Sequence, residues 1–168
     1  MVTFQNSDRP PEEGSIDKPT RIVIPSIHVD AALEEVAMTT DGLMDVPKNS
    51  LNAGWYTSGP RPGEIGNAVI DGHVNGKYGT RAVFSDLHTI KPGNEILIRN
   101  HQGGLISFVV REIRTYDPGA NTSAIFTSDD GKAHLNLITC EGVWDKTTKD
   151  YSKRLVIFAD KTNKVESP

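Results

Sequence analysis

The chain has only one cysteine, Cys140, among its 168 residues. A lone thiol cannot form a disulfide within the chain, so the fold must rest on its apolar core and not on covalent crosslinks. Cys140 is therefore either a buried side chain that packs as a small apolar group or a nucleophile. Which of these two roles it has decides what the protein does.

Long apolar runs and a concentration of basic charge are also absent. No run approaches the roughly 18 apolar residues that span a bilayer, and no signal peptide is visible. The formal net charge is −4 and the 18 basic residues form no stripe, so we expect no nucleic-acid partner. Cysteine and histidine do not recur at the spacing of a zinc site, and we expect neither a metal nor another cofactor.

The chain has many short β-type runs that are separated by Gly, Pro and Asp. The predicted strands are 21–24, 31–36, 67–73, 95–99, 105–116, 134–140 and 154–159. Helical spacing of apolar residues occurs only over 81–90, and a short helical turn is predicted within 121–126. This pattern predicts a mostly β fold, a closed β-barrel of about eight strands with one or two short helices.

The composition also predicts how the chain is divided. Residues 1–19 are polar and are broken by Pro10, Pro11 and Gly14, which predicts a flexible lead-in. Residues 20–162 have the length and apolar content of one domain with one core. Residues 163–168 are expected to form a C-terminal tail.

Three chemically reactive residues stand at the ends of predicted strands. Cys140 ends an apolar run and is followed at once by a Gly-containing segment. His73 ends another strand, and Arg154 begins the last one. If the last two runs pair as neighbouring strands, the Arg154 guanidinium returns to the thiol. Cysteine, histidine and arginine together suit a nucleophile, an acid–base group and an electrophilic stabiliser.

The sequence around these residues resembles one enzyme family. The run 137–140, Leu-Ile-Thr-Cys, is similar to the signature strand of bacterial sortases, the cysteine transpeptidases that attach proteins to the cell wall. Gly72-His73 resembles the catalytic histidine segment of that family, and 151–159 resembles its arginine strand. The similarity runs in family order from about residue 19 to residue 160, so it implies the sortase β-barrel and a sortase catalytic domain over 20–162.

A further segment bears on the sortase class. Trp55-Tyr56, followed by Gly-Pro-Arg-Pro-Gly at 59–63, is most similar to class F. Classes E and D are the alternatives.

The resemblance implies a mechanism. Cys140 would attack a sorting signal of Leu-Pro-any-Thr-Gly type between Thr and Gly and form a thioacyl intermediate. His73 would protonate the leaving amine and later accept a proton from the incoming nucleophile. Arg154 would hydrogen-bond the substrate backbone and the developing oxyanion. The acceptor would be a cell-wall peptide amine or a pilin lysine, and water in its place would give a hydrolase side activity.

The resemblance also implies a location and partners. Sortases work at the extracellular face of the bacterial plasma membrane, held there by an N-terminal hydrophobic segment. Residues 2–19 are polar, so we expect this chain to begin after such a segment; the alternative is a secreted or cytosolic protein without an anchor. Its partners would be surface proteins with C-terminal sorting signals, and we expect a monomer.

Four residues near Cys140 are candidate substrate contacts: Thr139, Glu141, Trp144 and Tyr151. Thr139 precedes the cysteine and also has a structural interpretation as a strand threonine. The backbone N–H of Glu141 is a possible second oxyanion donor. Trp144 and Tyr151 lie in a predicted loop, where they either wall a peptide groove or anchor the loop on the barrel.

Several acidic residues have two interpretations. Asp71 lies two residues before His73 and either orients it or is a solvated strand end. The pairs Glu34-Glu35 and Asp129-Asp130 could bind calcium, as acidic loops do in some sortases, or are simply solvated.

Two other functions stay open at this stage. One is a catalytically silent sortase-fold module that binds peptides or serves in adhesion, because a fold does not imply a function. The other is an unrelated cysteine protease, but the papain-type sequence around the nucleophile is missing and helical segments are few.

Overall fold

The computed structural model describes residues 17–163, and within that range the side chains of residues 140–143 and 150 are not described. Eight strands are present in this part of the chain: β1 (Pro19–Ile24), β2 (Val29–Val36), β3 (Ala53–Tyr56), β4 (Gly66–Asp71), β5 (Glu95–Asn100), β6 (Leu105–Tyr116), β7 (Ala133–Asp145) and β8 (Asp150–Lys161). Helical structure in the same part consists of α1 (Ser123–Phe126) and three 3-10 turns, at Pro25–Ile27, Lys77–Gly79 and Leu87–Thr89.

The eight strands form a closed barrel in the order β1-β2-β3-β4-β7-β8-β6-β5, and β5 pairs back with β1. The pairs β2–β3 and β4–β7 are parallel, and the remaining pairs are antiparallel. Closure leaves no strand of the barrel with an unpaired edge. The predicted closed β-barrel of about eight strands is confirmed.

Strand alternation divides the apolar residues between two clusters. In β7, Leu135 and Leu137 are fully buried in the larger cluster, which includes Phe84 and Phe108 and fills the barrel. The alternate residues of the neighbouring strands form a smaller cluster outside it, with Val69, Val156 and Phe158 packed against Ile125 of α1. The Asn67 amide holds α1 in place by donating hydrogen bonds to the carbonyls of Ala124 and Thr127.

The predicted helix over 81–90 is wrong, although its apolar residues are buried as the spacing required. Val83, Leu87 and Ile90 all lie in the larger cluster. The backbone of this segment forms successive turns with i to i−3 hydrogen bonds. Among these turns only Leu87–Thr89 is a regular 3-10 turn. The Ser85 hydroxyl accepts the Ala82 N–H and donates to the Val74 carbonyl, which ties these turns to the segment after His73.

Other boundaries also differ from the prediction. β3 has no predicted counterpart because it is only four residues long and contains a glycine and no β-branched residue. The predicted loop over 141–153 is wrong as well, since β7 and β8 continue toward each other and only residues 146–149 connect them. The short helical turn within 121–126 is confirmed as α1.

Parts of the predicted division of the chain lie outside the described residues. This holds for 1–16 of the lead-in and for 164–168 of the tail. β1 already begins at Pro19, the last residue of the predicted lead-in. Within residues 17–163, no helix is long and apolar enough to cross a membrane.

Candidate active site

The strand register brings the three predicted catalytic residues to one end of the barrel. In the parallel pair β4–β7, Asp71 lies opposite Ile138, and His73 and Cys140 each follow two residues later. In the antiparallel pair β7–β8, Cys140 lies directly opposite Arg154. Directly opposed residues of antiparallel strands have Cα atoms about 4.5 to 5.5 Å apart. The Cys140 side chain lies outside the described residues, so the register alone defines its place.

Two hydrogen bonds hold the histidine segment against β7. The Gly72 N–H donates to the Ile138 carbonyl at 3.1 Å, and the Thr139 hydroxyl donates to the Gly72 carbonyl at 2.8 Å. Thr139 is only 3% exposed. Its buried, bonded hydroxyl favours the structural interpretation of Thr139 over the substrate contact.

Gly72 lets the chain pass close to the core just before His73. A Cβ atom at this position would lie 2.5 Å from the Phe84 side chain and 2.6 Å from that of Val83. Such separations are shorter than any tolerated contact, so the backbone path into the site requires glycine.

His73 is half-buried and hydrogen-bonded to a loop. Its Nε2 lies 2.8 Å from the carbonyl oxygen of Pro47, which belongs to the loop of residues 37–52 between β2 and β3. The His73 carbonyl accepts a hydrogen bond from the Phe84 N–H at 3.1 Å. Pro47 could not be identified from the sequence, because a backbone carbonyl in a loop leaves no signal in the residue pattern.

Arg154 is half-buried at the point where β8 faces Cys140. Its Nη1 donates to the carbonyls of Tyr151 and Lys153, each at 3.3 Å. These bonds hold the guanidinium beside its own strand.

Trp144 and Tyr151 lie on strands and not in a loop, because they are register partners in β7 and β8. Their rings make an edge-to-face contact with centroids 5.2 Å apart, and Trp144 is 48% exposed. The Asn75 amide donates a hydrogen bond to the Tyr151 hydroxyl. This bond links the segment after His73 to β8, across the site.

Comparison with known proteins identifies the family. The family model for the sortase domain matches residues 22–162. The chain belongs to the sortase family. Members of this family are cysteine transpeptidases that process surface proteins carrying sorting signals at the cell surface, and the sortase resemblance of the sequence is confirmed at this level. No curated protein matches the sequence.

Solved structures show the same fold at low identity. Sortase A from Corynebacterium diphtheriae, as a lid mutant, matches with a TM-score of 0.67 and 22% identity over 96% of this chain and 75% of that one. Sortase C1 from Streptococcus agalactiae has a TM-score of 0.67 and 20% identity over 87% and 68% of the two chains. Sortase C-1 from Actinomyces oris has a TM-score of 0.67 and 23% identity over 92% and 80%.

Asp71 of this sortase is buried, so its interpretation as a solvated strand end is wrong. Its Oδ1 accepts no hydrogen bond from the described residues, and a Cβ at Gly54 would lie 2.6 Å from that oxygen. Burial raises the pKa of Asp71 to about 8; the N–H of its own residue opposes this shift, and the charges of Asp45 and Glu34 add to it. Asp71 is therefore mostly a neutral acid at pH 7. No hydrogen bond joins it to His73 among the described residues.

The raised pKa of Asp71 predicts a pH-dependent stability. Between the ordinary value of 3.8 and about 8, the folded chain keeps a proton that the unfolded chain releases, so stability falls as the pH rises. The expected slope is about 1.4 kcal/mol per pH unit for this one group. Asp71→Asn should remove this pH dependence. Urea unfolding at pH 5, 6.5 and 8 measures the free energy of unfolding of both chains, and the variant should gain stability relative to the parent as the pH rises. The same difference between the two chains at all three pH values would contradict the prediction.

In each of the acidic pairs 34–35 and 129–130, at least one carboxylate is bonded within the protein itself. Glu34 accepts three hydrogen bonds from residues 48–52. Asp130 accepts the Lys132 N–H and contacts His134, whose other ring nitrogen contacts Asp160. Over the described part of the chain, no group of three or more His, Cys, Asp or Glu side chains is arranged to hold a metal ion.

Proposed function

We propose that this sortase cleaves a Leu-Pro-any-Thr-Gly-type sorting signal between Thr and Gly and transfers the acyl group to an amine. The observation that carries the proposal is the strand register. Cys140 lies opposite Arg154 on β8, and β4, which pairs with β7, ends two residues before His73. A nucleophile, an acid–base group and a cationic donor then meet at one end of the barrel.

Cys140 would act as the nucleophile. A thiol titrates near ~8.5 and attacks only as the thiolate, so it needs a nearby group that takes its proton. His73 suits this role because a histidine ring can accept a proton on one nitrogen and release it again. The thiolate adds to the threonine carbonyl carbon, the carbon–nitrogen bond breaks, and the His73 imidazolium gives a proton to the leaving glycine amine. The incoming amine then attacks the thioester and returns a proton to His73, and Cys140 leaves as the thiolate.

Arg154 would bind the substrate backbone and the oxyanion. Its guanidinium is always charged and carries five N–H donors in a rigid plane. The bonds to the Tyr151 and Lys153 carbonyls fix this plane before substrate arrives, so little reorganisation is needed as charge develops. The Glu141 N–H stays the predicted second donor, and the exposed Trp144 and its partner Tyr151 stay predicted walls of the peptide groove.

The finer assignments rest on the sequence. Class F, with E and D as alternatives, stays a prediction, and the solved structures compared above are of sortases A and C. We propose a cell-wall peptide amine or a pilin lysine as the acceptor, with hydrolysis when no amine is present. The domain boundary at 20–162 and a place at the extracellular face of the membrane belong to the same proposal.

The test is intact-mass spectrometry of the protein with a Leu-Pro-Ala-Thr-Gly or Leu-Pro-Asn-Thr-Gly peptide. We expect an adduct on Cys140 with the mass of the peptide up to threonine, and ligated peptide when triglycine is added. If no adduct or cleavage appears while a thiol-reactive probe still labels Cys140, the sorting motif is a different one. If the probe also fails to label, the catalytically silent peptide-binding module is favoured.

A further inference from the structure

The loop of residues 37–52 contacts one of the two ring nitrogens of His73. The Pro47 carbonyl oxygen lies 2.8 Å from His73 Nε2, and Pro47 is buried. A carbonyl oxygen can only accept a hydrogen bond, so the hydrogen of this bond is carried by Nε2. The bond therefore fixes the ring tautomer as well as the ring orientation.

Glu34 of β2 holds this loop. Its Oε1 accepts the Lys48 N–H at 3.0 Å, and its Oε2 accepts the Asn49 N–H at 3.1 Å and the Asn52 amide at 3.2 Å. Burial acts to raise the pKa of Glu34, but the hydrogen bonds from Asn49, Lys48 and Asn52 outweigh it and leave the pKa below its ordinary value. One ionised carboxylate thus bonds the two residues that follow Pro47.

The other side of the loop is tied to the segment after His73. The Val83 N–H donates to the Ser50 carbonyl at 2.9 Å, and the next N–H, of Phe84, donates to the His73 carbonyl at 3.1 Å. Two consecutive backbone groups therefore hold the loop and the histidine to the same buried segment. The Pro47 carbonyl is fixed relative to His73 from both directions.

We propose that Glu34 is a positioning residue, which by holding residues 48–52 keeps the Pro47 carbonyl on His73 Nε2 and leaves Nδ1 as the nitrogen that exchanges protons. This inference rests on the proposed function. In acylation, the sulfur–carbon bond forms, the carbon–nitrogen bond breaks, and the Nδ1 proton passes to the leaving amine. The neutral ring keeps its hydrogen on Nε2. In the second half-reaction the incoming amine gives its proton to Nδ1 as the thiolate leaves.

The first measurement is the tautomer of His73 in the unaltered chain. Nitrogen-15 NMR of histidine-labelled protein, assigned by the signals lost in His73→Gln, reports which ring nitrogen carries the hydrogen. We expect the neutral ring to be Nε2–H. An Nδ1–H ring would overturn the proposal, and this result does not depend on any Glu34 variant folding.

The second measurement removes the Glu34 carboxylate. Glu34→Ala should mix the tautomers and lower kcat roughly 10- to 100-fold with little change in KM, because the acid–base group loses its alignment. Glu34→Gln keeps one acceptor oxygen and should recover part of the loss. The matched control is Glu35→Ala, because the Glu35 carboxylate makes an exposed ion pair with Lys18.

The outcomes separate the two proposals. If Glu34→Ala matches Glu35→Ala in both tautomer and kcat, the positioning role is wrong. If the unaltered chain has an Nε2–H ring but forms no thioester with any sorting peptide, the proposed function fails while the tautomer assignment stands.

Discussion

Replacing Cys140 with alanine is expected to abolish thioester formation and to lower acyl transfer by at least about 10⁴-fold, because no other group in the proposed mechanism attacks the carbonyl. The adduct seen by intact-mass spectrometry should disappear. Circular dichroism and the Tm should stay close to those of the parent, since the barrel is closed by strand pairs that this substitution leaves in place.

Cys140→Ser is the matched comparison. It keeps a nucleophilic atom at the same position, but a hydroxyl is a far weaker nucleophile than a thiolate at neutral pH. Both variants should therefore be inactive in ligation. Turnover of the sorting peptide by Cys140→Ala would show that another residue attacks, and the enzyme assignment of this cysteine would have to be abandoned.

Replacing Arg154 with alanine is expected to lower kcat/KM by about 100-fold or more, the usual effect of removing one oxyanion donor. Arg154→Lys should recover little of this loss. A lysine ammonium is a compact charge on a flexible stem and cannot bond two carbonyls and the substrate with one rigid plane. Steady-state ligation of a fluorogenic sorting peptide measures both variants.

The neighbouring residue supplies the control for Arg154. Lys153 is exposed and makes a surface ion pair with Asp117 at 3.8 Å. Exposed pairs of this kind contribute little, so Lys153→Ala should keep activity within about twofold of the parent. If Arg154→Ala and Lys153→Ala behave alike, the arginine does not stabilise the transition state.

Most strands could be predicted because they are runs rich in β-branched and other apolar residues that end at Gly, Pro, Asn or Asp. The bounds of β6 match the prediction, and its buried residues Phe108 and Val110 are separated by the less buried Val109. β3 could not be predicted because its four residues, Ala-Gly-Trp-Tyr, include a glycine and no β-branched residue, whereas the equally buried β4 contains Val69 and Ile70. In the segment 81–90 the apolar spacing predicted burial correctly, but the same spacing also fits a chain of turns.

The sequence predicts those parts of the candidate site that depend on the type of side chain, and not those that depend on backbone groups. His73, Cys140 and Arg154 stand out in the sequence by residue type and strand position, and the register brings their backbones together. The Pro47 carbonyl could not be predicted, because every residue has a carbonyl and only the folded loop aims this one at His73. From the sequence, Glu34 stands out only as a possible calcium ligand, because its backbone partners leave no signal in the residue pattern.

The parallel pairing of β4 with β7 also bears on when the proposed site can assemble during synthesis. The bond between Thr139 and Gly72 joins residues 67 positions apart, and the arginine strand follows later still. Contacts at such separations form late in folding, because the intervening chain must close first. A nascent chain in which Cys140 has left the ribosome and β8 has not therefore contains the cysteine without Arg154 beside it. The order of the strands along the chain therefore delays the assembly of the proposed catalytic site until β8 has been synthesised.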